Sequence, residues 1–165
     1  MPIKYIKGDC LNDSPCLKYK IITHICNNSG GWGSGFVVNL SKVWKKPEEE
    51  YRKWHTFEEF KMGEMIIPFK LGNIQPVPVD KFTMVINMIA QHNTISITPG
   101  SKPIRYAALA SCMTKAANVA KKMNAEFHIP KMGAGLAQGR WDFIEELINE
   151  IWAEFDVFIY EFDQK

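Results

Sequence analysis

Two glycine-rich stretches, each placed between a β-like apolar run and a helical pattern, constrain this chain more than any other feature. The first is Asn27-Asn28-Ser29-Gly30-Gly31-Trp32-Gly33-Ser34-Gly35-Phe36, delivered by the apolar run Ile21 to Cys26. The second, Lys131-Met132-Gly133-Ala134-Gly135-Leu136-Ala137-Gln138-Gly139, follows the short run Phe127 to Pro130. Glycine lets a backbone take positive φ and come close to a ligand. The first N–H groups of a helix have no partner within it, and the helix dipole favours negative charge there. A glycine-rich strand-to-helix turn is therefore an anion site in waiting. Two of them can close on a diphosphate from opposite sides. Either alone is a weak signal, because glycine turns often only connect elements.

The rest of the chain supplies the frame. Ile3 to Lys7 reads as a strand ending at Gly8-Asp9-Cys10, and Lys20 to Cys26 as a buried strand. Phe36, Val37, Leu40, Val43 and Trp44 recur at helical spacing, and Pro47-Glu48-Glu49-Glu50 opens a second helix. Gly63 to Phe69 reads as a strand, and Pro76 and Pro78 mark an extended edge. Phe82 to Ala90 reads as a strongly buried strand, and the stretch from Gln91 to Pro103 as a loop. A helix is expected from about Pro103, with Leu109, Met113, Ala116, Ala120 and Met123 as its stripe. A last helix is expected with Ile144, Leu147, Ile148, Ile151, Trp152 and Phe155 inward, followed by a strand from Val157 to Phe162. Strands alternating with helices point to an α/β fold with a mixed sheet and helices on both faces. In such folds ligands sit at the carboxyl ends of strands, which gathers Gly8-Asp9, both glycine loops and Gln91 on one rim.

At 165 residues the chain is expected to form a single domain, residues 1–165. Its net charge of +2, with acids and bases intermixed, gives no concentrated basic patch for nucleic acid. No apolar run is long enough to span a bilayer, and the N-terminus has no signal-like segment. Cys10, Cys16, Cys26 and Cys112 show no C-x-x-C spacing, so no zinc or other metal site is expected. Together these features lead to the expectation of a soluble cytoplasmic protein with no cofactor and no nucleic-acid or membrane partner. A Walker A ending is missing, and Gly133, Gly135 and Gly139 are spaced wrongly for the dinucleotide fingerprint.

The sequence resembles the macrodomains, which bind ADP-ribose. The resemblance rests on Ile6 to Cys10, on His24 to Asn27 with Gly31 to Phe36, on Pro130 to Leu136 and on Val157 to Phe162. Trp32-Gly33-Ser34-Gly35 looks most like the branch of ADP-ribose 1''-phosphate phosphatases and enzymes that remove ADP-ribose from acidic side chains. The resemblance implies a three-layer α/β/α sandwich with a central mixed sheet. It implies ADP-ribose or a derivative as ligand, an ADP-ribosylated protein as a further partner, and hydrolysis at the terminal ribose. A non-catalytic ADP-ribose reader is the alternative.

Carried over by position, Asp9 meets the adenine amino group with Cys10 beside it, and Asn27 meets the distal ribose. Gly31, Trp32, Gly33, Ser34, Gly35 and Phe36 form the first phosphate and ribose loop. Gly133, Ala134, Gly135, Leu136 and Ala137 form the second, and Tyr160 and Phe162 flank the adenine. The acid-residue hydrolases carry an aspartate where this chain has Ala137, and a lysine near Ala90 or Gln91. A lysine-adduct mechanism therefore fits poorly, and phosphate-monoester removal with oxyanion stabilisation by the loops fits better. His24 and Gln91 are the catalytic candidates, and His92 is a weaker one. Each has a plain structural reading too: His24 as a core histidine, Gln91 and His92 as turn formers, Asp9 as a turn cap, Asn28 and Ser29 as turn builders.

Overall fold

A computed structural model describes residues 3–12, 18–94 and 101–162. Cys16 and the middle of the loop before Pro103 lie outside the described residues. The elements run β1 (Ile3–Lys7), β2 (Lys20–Asn27), α1 (Phe36–Val43), α2 (Lys46–Phe57), β3 (Glu59–Met62), β4 (Met65–Pro68) and β5 (Ile74–Pro78). They continue through β6 (Thr83–Gln91), α3 (Tyr106–Met123), β7 (Glu126–Pro130) and α4 (Trp141–Ile151) to β8 (Val157–Glu161). The main sheet has the order β1-β8-β7-β2-β6-β5, and β3 pairs with β4 in a separate hairpin. All pairings in the main sheet are parallel except β5 on β6. Pro76 and Pro78 lack the N–H a central strand would need, and β5 accordingly lies at the edge.

Side chains alternate across a strand, so each strand feeds two cores. Ile21, Ile86 and Phe127 pack with Leu109, Met113, Ile144 and Ile148 of α3 and α4. Their neighbours Ile22 and Val85 pack with Leu40 of α1 and with Tyr51 and Trp54 of α2. The result is a three-layer α/β/α sandwich whose strands are apolar on both faces, as buried parallel strands are.

Three boundaries differ from the sequence reading. The α4 pattern continues through Trp152 and Phe155, yet the helix stops at Ile151. The Trp152 ring stacks on Phe127 at 3.9 Å and its indole N–H donates to the Met113 carbonyl at 2.9 Å, and this packing overrides the helical spacing. α3 begins at Tyr106 and not at Pro103, because Ile104 bridges Gln91 and Arg105 is extended. β3 carries only Phe60 toward the interior and so had no alternation to announce it, while Gly63 makes the β3–β4 turn at φ +63°.

Because β1, β8, β7, β2 and β6 are parallel, their carboxyl ends share one rim. The turn at Gly8-Asp9, both glycine loops and Gln91 all leave from that rim.

Candidate functional site

A cleft of about 390 Å³ opens between the two glycine loops. The first loop lines it with Gly31 to Phe36, and the second with Gly133, Gly135, Leu136 and Ala137. Asn27, His24 and Gln91 complete the floor from the ends of β2 and β6. The wall contains no Asp or Glu among the described residues, and Lys131 brings a positive charge. α1 starts at the cleft with Gly35 as its N-cap, at φ +82°, and has no acidic residue in its first turn. Nothing in that turn competes with an anionic ligand for the helix dipole.

The first loop is built around Asn27, which is buried. Its Oδ1 accepts from the backbone N–H groups of Ser29 and Gly31, each at 3.0 Å, and from the Ser29 hydroxyl at 3.0 Å. Its Nδ2 donates to the Gly31 carbonyl at 2.8 Å. Tyr51 of α2 sets its hydroxyl 2.7 Å from the Asn27 carbonyl and 2.9 Å from Oδ1. Trp32 is buried, and its Nε1 donates to Ser41 Oγ at 2.7 Å.

His24 lies under this loop, 2% exposed, with its ring against Trp32 and Phe36. Asn87 spends its Nδ2 on the Pro47 carbonyl and on Gln75 Oε1. Its Oδ1 therefore faces His24 Nε2 at 2.6 Å and accepts the imidazole proton. Burial pushes the His24 pKa down to about 4, so the ring is a neutral Nε2–H imidazole near pH 7. Gln75 in turn donates to the Glu50 carbonyl, and the chain of amides ties the sheet to α2. Asn87 and Gln75 were legible in principle as polar residues interrupting apolar strands, which are buried only when hydrogen-bonded.

The second loop is held differently. Gly139 donates its N–H to the Gly133 carbonyl at 2.7 Å and Gln138 donates to Gly135 at 2.9 Å. A Cβ on Gly133, which sits at φ +82°, would come within 2.8 Å of Ile25 and 3.0 Å of Ile104 and Ile144. A Cβ on Gly139 would meet the Gly133 carbonyl oxygen at 2.5 Å. Gly33 and Gly135, by contrast, face open space.

Ala134 lies on the exposed outside of the second loop. Asp9, Cys10, Tyr160 and Phe162 sit at the ends of β1 and β8, two neighbouring strands next to β7, and do not line the cleft. Asp9 accepts from the Leu11 N–H at 2.9 Å and from Asn12 Nδ2 at 3.1 Å, closing its turn. Cys10 is buried, and burial pushes its thiol up to about 12. Tyr160 is buried with its hydroxyl 2.8 Å from His128 Nδ1, while Phe162 is 55% exposed. Lys131, the first residue of the second loop, and Thr94 also line the cleft; Thr94 packs on Gly31 and carries no sequence signal.

No protein-family model matches the chain. Among solved structures, a macrodomain protein from Streptomyces coelicolor is 34% identical, with 97% of this chain and 99% of that one covered at a TM-score of 0.78. The chain belongs to the macrodomain family. A protein of unknown function from Bacteroides thetaiotaomicron shares the macrodomain's fold at 42% identity and a TM-score of 0.87, covering 97% of this chain and 98% of its own. An ADP-ribose 1''-phosphate phosphatase from Candida albicans is 26% identical over 153 residues, 90% of this chain and 92% of that protein.

Proposed function

We propose that this macrodomain binds ADP-ribose or a derivative of it, with the diphosphate between the two glycine loops. One observation carries the reading: Gly33 and Gly135 present unobstructed backbone to a cleft that has an α-helix N-terminus at its wall and no carboxylate among its described lining residues. Backbone N–H groups and a helix dipole suit a diphosphate, and Lys131 adds to that field. The adenine then lies toward the ends of β1 and β8. Phe162 is exposed there and supplies a ring face, whereas Tyr160 is buried with its hydroxyl held by His128. Asp9 is the acceptor for the exocyclic amine. The buried, unpaired thiols of Cys10, Cys26 and Cys112 support a cytoplasmic setting.

The reaction that fits is hydrolysis at the terminal ribose, of ADP-ribose 1''-phosphate in the first place, and the Candida relative supports it. Oxyanion stabilisation would come from the loop amides, with Gln91 orienting water at the ribose end. A second reading, a reader of ADP-ribosylated protein without turnover, is favoured by the lack of a carboxylate among the described cleft residues and by the burial of His24, whose Nε2–H is spent on Asn87. Calorimetric titration of ADP-ribose tests the shared claim, and Asp9→Ala is expected to weaken binding while the domain stays folded. Unchanged affinity would remove Asp9 from the adenine site. Incubation with ADP-ribose 1''-phosphate, O-acetyl-ADP-ribose and a glutamate-ADP-ribosylated protein, followed by chromatography, separates the hydrolase from the reader. Tight binding without turnover of any of them selects the reader.

A further inference from the structure

A single side chain fastens the first glycine loop to the end of β6. Asn28 accepts the backbone N–H of Asn93 through Oδ1 at 2.9 Å. A backbone N–H only donates, so this bond decides which way the amide faces. Its Nδ2 then points at Nδ1 of His92, 2.9 Å away. An amide NH₂ also only donates, so Nδ1 is the acceptor and the ring proton resides on Nε2. Asn93 Nδ2 lies 3.2 Å from Nε2; with the ring proton on Nε2, this amide is turned over so that its oxygen accepts. Around this junction the Asn28 N–H donates to the Gln91 carbonyl at 3.0 Å, and the His92 N–H donates to the Pro103 carbonyl at 2.7 Å. Thr94, two residues on, packs against Gly31.

We propose that Asn28 and His92 are a positioning pair that holds the first glycine loop in its ligand-ready shape, and that only the neutral imidazole can hold it. The inference rests on the ADP-ribose reading of the cleft. A second proton, on Nδ1, would set donor against donor. Asn28 cannot turn its amide to relieve this without losing the Asn93 N–H. Acid therefore releases the loop at its distal end, beside Gln91 and Gly31. No ion pair involves His92 among the described residues. The connection from 95 to 100 carries no ionisable side chain. His55 of α2, whose ring lies against Gly30, is another imidazole beside the loop, and His55→Gln serves as the control.

The test titrates ADP-ribose calorimetrically into the wild type, His92→Leu, His92→Asn and His55→Gln, at about pH 7.5 and about pH 5.5, which bracket the ordinary imidazole range. Amide hydrogen exchange of residues 29–32 is measured in the same proteins without ligand. Removing the acceptor from the half-buried Asn28 amide is expected to cost His92→Leu roughly tenfold in affinity at the higher pH. His92→Asn places an amide oxygen where Nδ1 stood and is expected to stay within about threefold of the wild type. The wild type and His55→Gln lose affinity at the lower pH, and His92→Asn does not. Exchange of residues 29–32 is faster in His92→Leu than in His92→Asn. Wild-type affinity in His92→Leu, or the same pH dependence in the wild type and His92→Asn, overturns the pair. If the wild type binds no ADP-ribose, the ligand reading fails by itself. Exchange then decides the pair alone, and equal rates in His92→Leu and the wild type overturn it.

Discussion

The two loops that face each other across the cleft are held in place by opposite means. The first is held by polar side chains: Asn27 gathers the N–H groups of Ser29 and Gly31, and Asn28 crosses to β6. The second is held by what is missing from it, because Gly133 and Gly139 leave room for the Ile25, Ile104 and Ile144 methyls and for a backbone carbonyl. A polar loop fails when a donor is orphaned, and a glycine-packed loop fails when volume is added. The difference teaches that the glycines of these loops are not equivalent. Gly133 and Gly139 serve packing, while Gly33 and Gly135 serve the cleft.

The sharpest way to break this comparison is Gly139→Val. Its Cβ would meet the Gly133 oxygen at 2.5 Å, and backbone cannot step aside as a side chain can. We expect a loss of about 3 kcal/mol in denaturant unfolding, toward the upper end for overpacking. A loss below about 0.5 kcal/mol would mean that the second loop is not held by packing. Next in size is Asn27→Ala, which leaves two loop N–H groups without their acceptor. It should cost about 2 kcal/mol in the same measurement, at roughly 1 kcal/mol for each bond. The smallest effect on stability, within about 0.5 kcal/mol, is expected for Gly135→Glu, since its side chain enters open space. That variant should nevertheless lose ADP-ribose binding in calorimetry, through bulk and like charge against the diphosphate. Normal binding by the folded variant would detach the second loop from the ligand.

The layered fold was legible because its signals are local. Apolar runs, prolines at the β5 edge and glycines at strand ends need no partner to be recognised, and the motif order from Ile6 to Phe162 pointed to the family. What was hidden depends on partners distant in sequence. Trp152 leaves the helical path because Phe127 and Met113 receive it. Tyr160 reads as a ring for adenine, yet its hydroxyl is engaged by His128, thirty-two positions away. Asn28 and His92 look like turn residues singly, and become a junction only when β2 and β6 lie side by side, sixty-four positions apart.

Tyr51 is fully buried in the core between α2 and the sheet, and its hydroxyl ends on Asn27. The first loop is thereby an outgrowth of the folding core and shares its order. Fixing a backbone residue takes about 1–2 kcal/mol of conformational entropy, and here most of that cost is met as the protein folds. A ligand arriving at this loop finds it already arranged and loses little affinity to ordering it. The second loop is tied to the core by a weaker bond, Thr23 Oγ1 donating to Met132 Sδ at 3.4 Å, and it offers the exposed Leu136 to whatever enters the cleft.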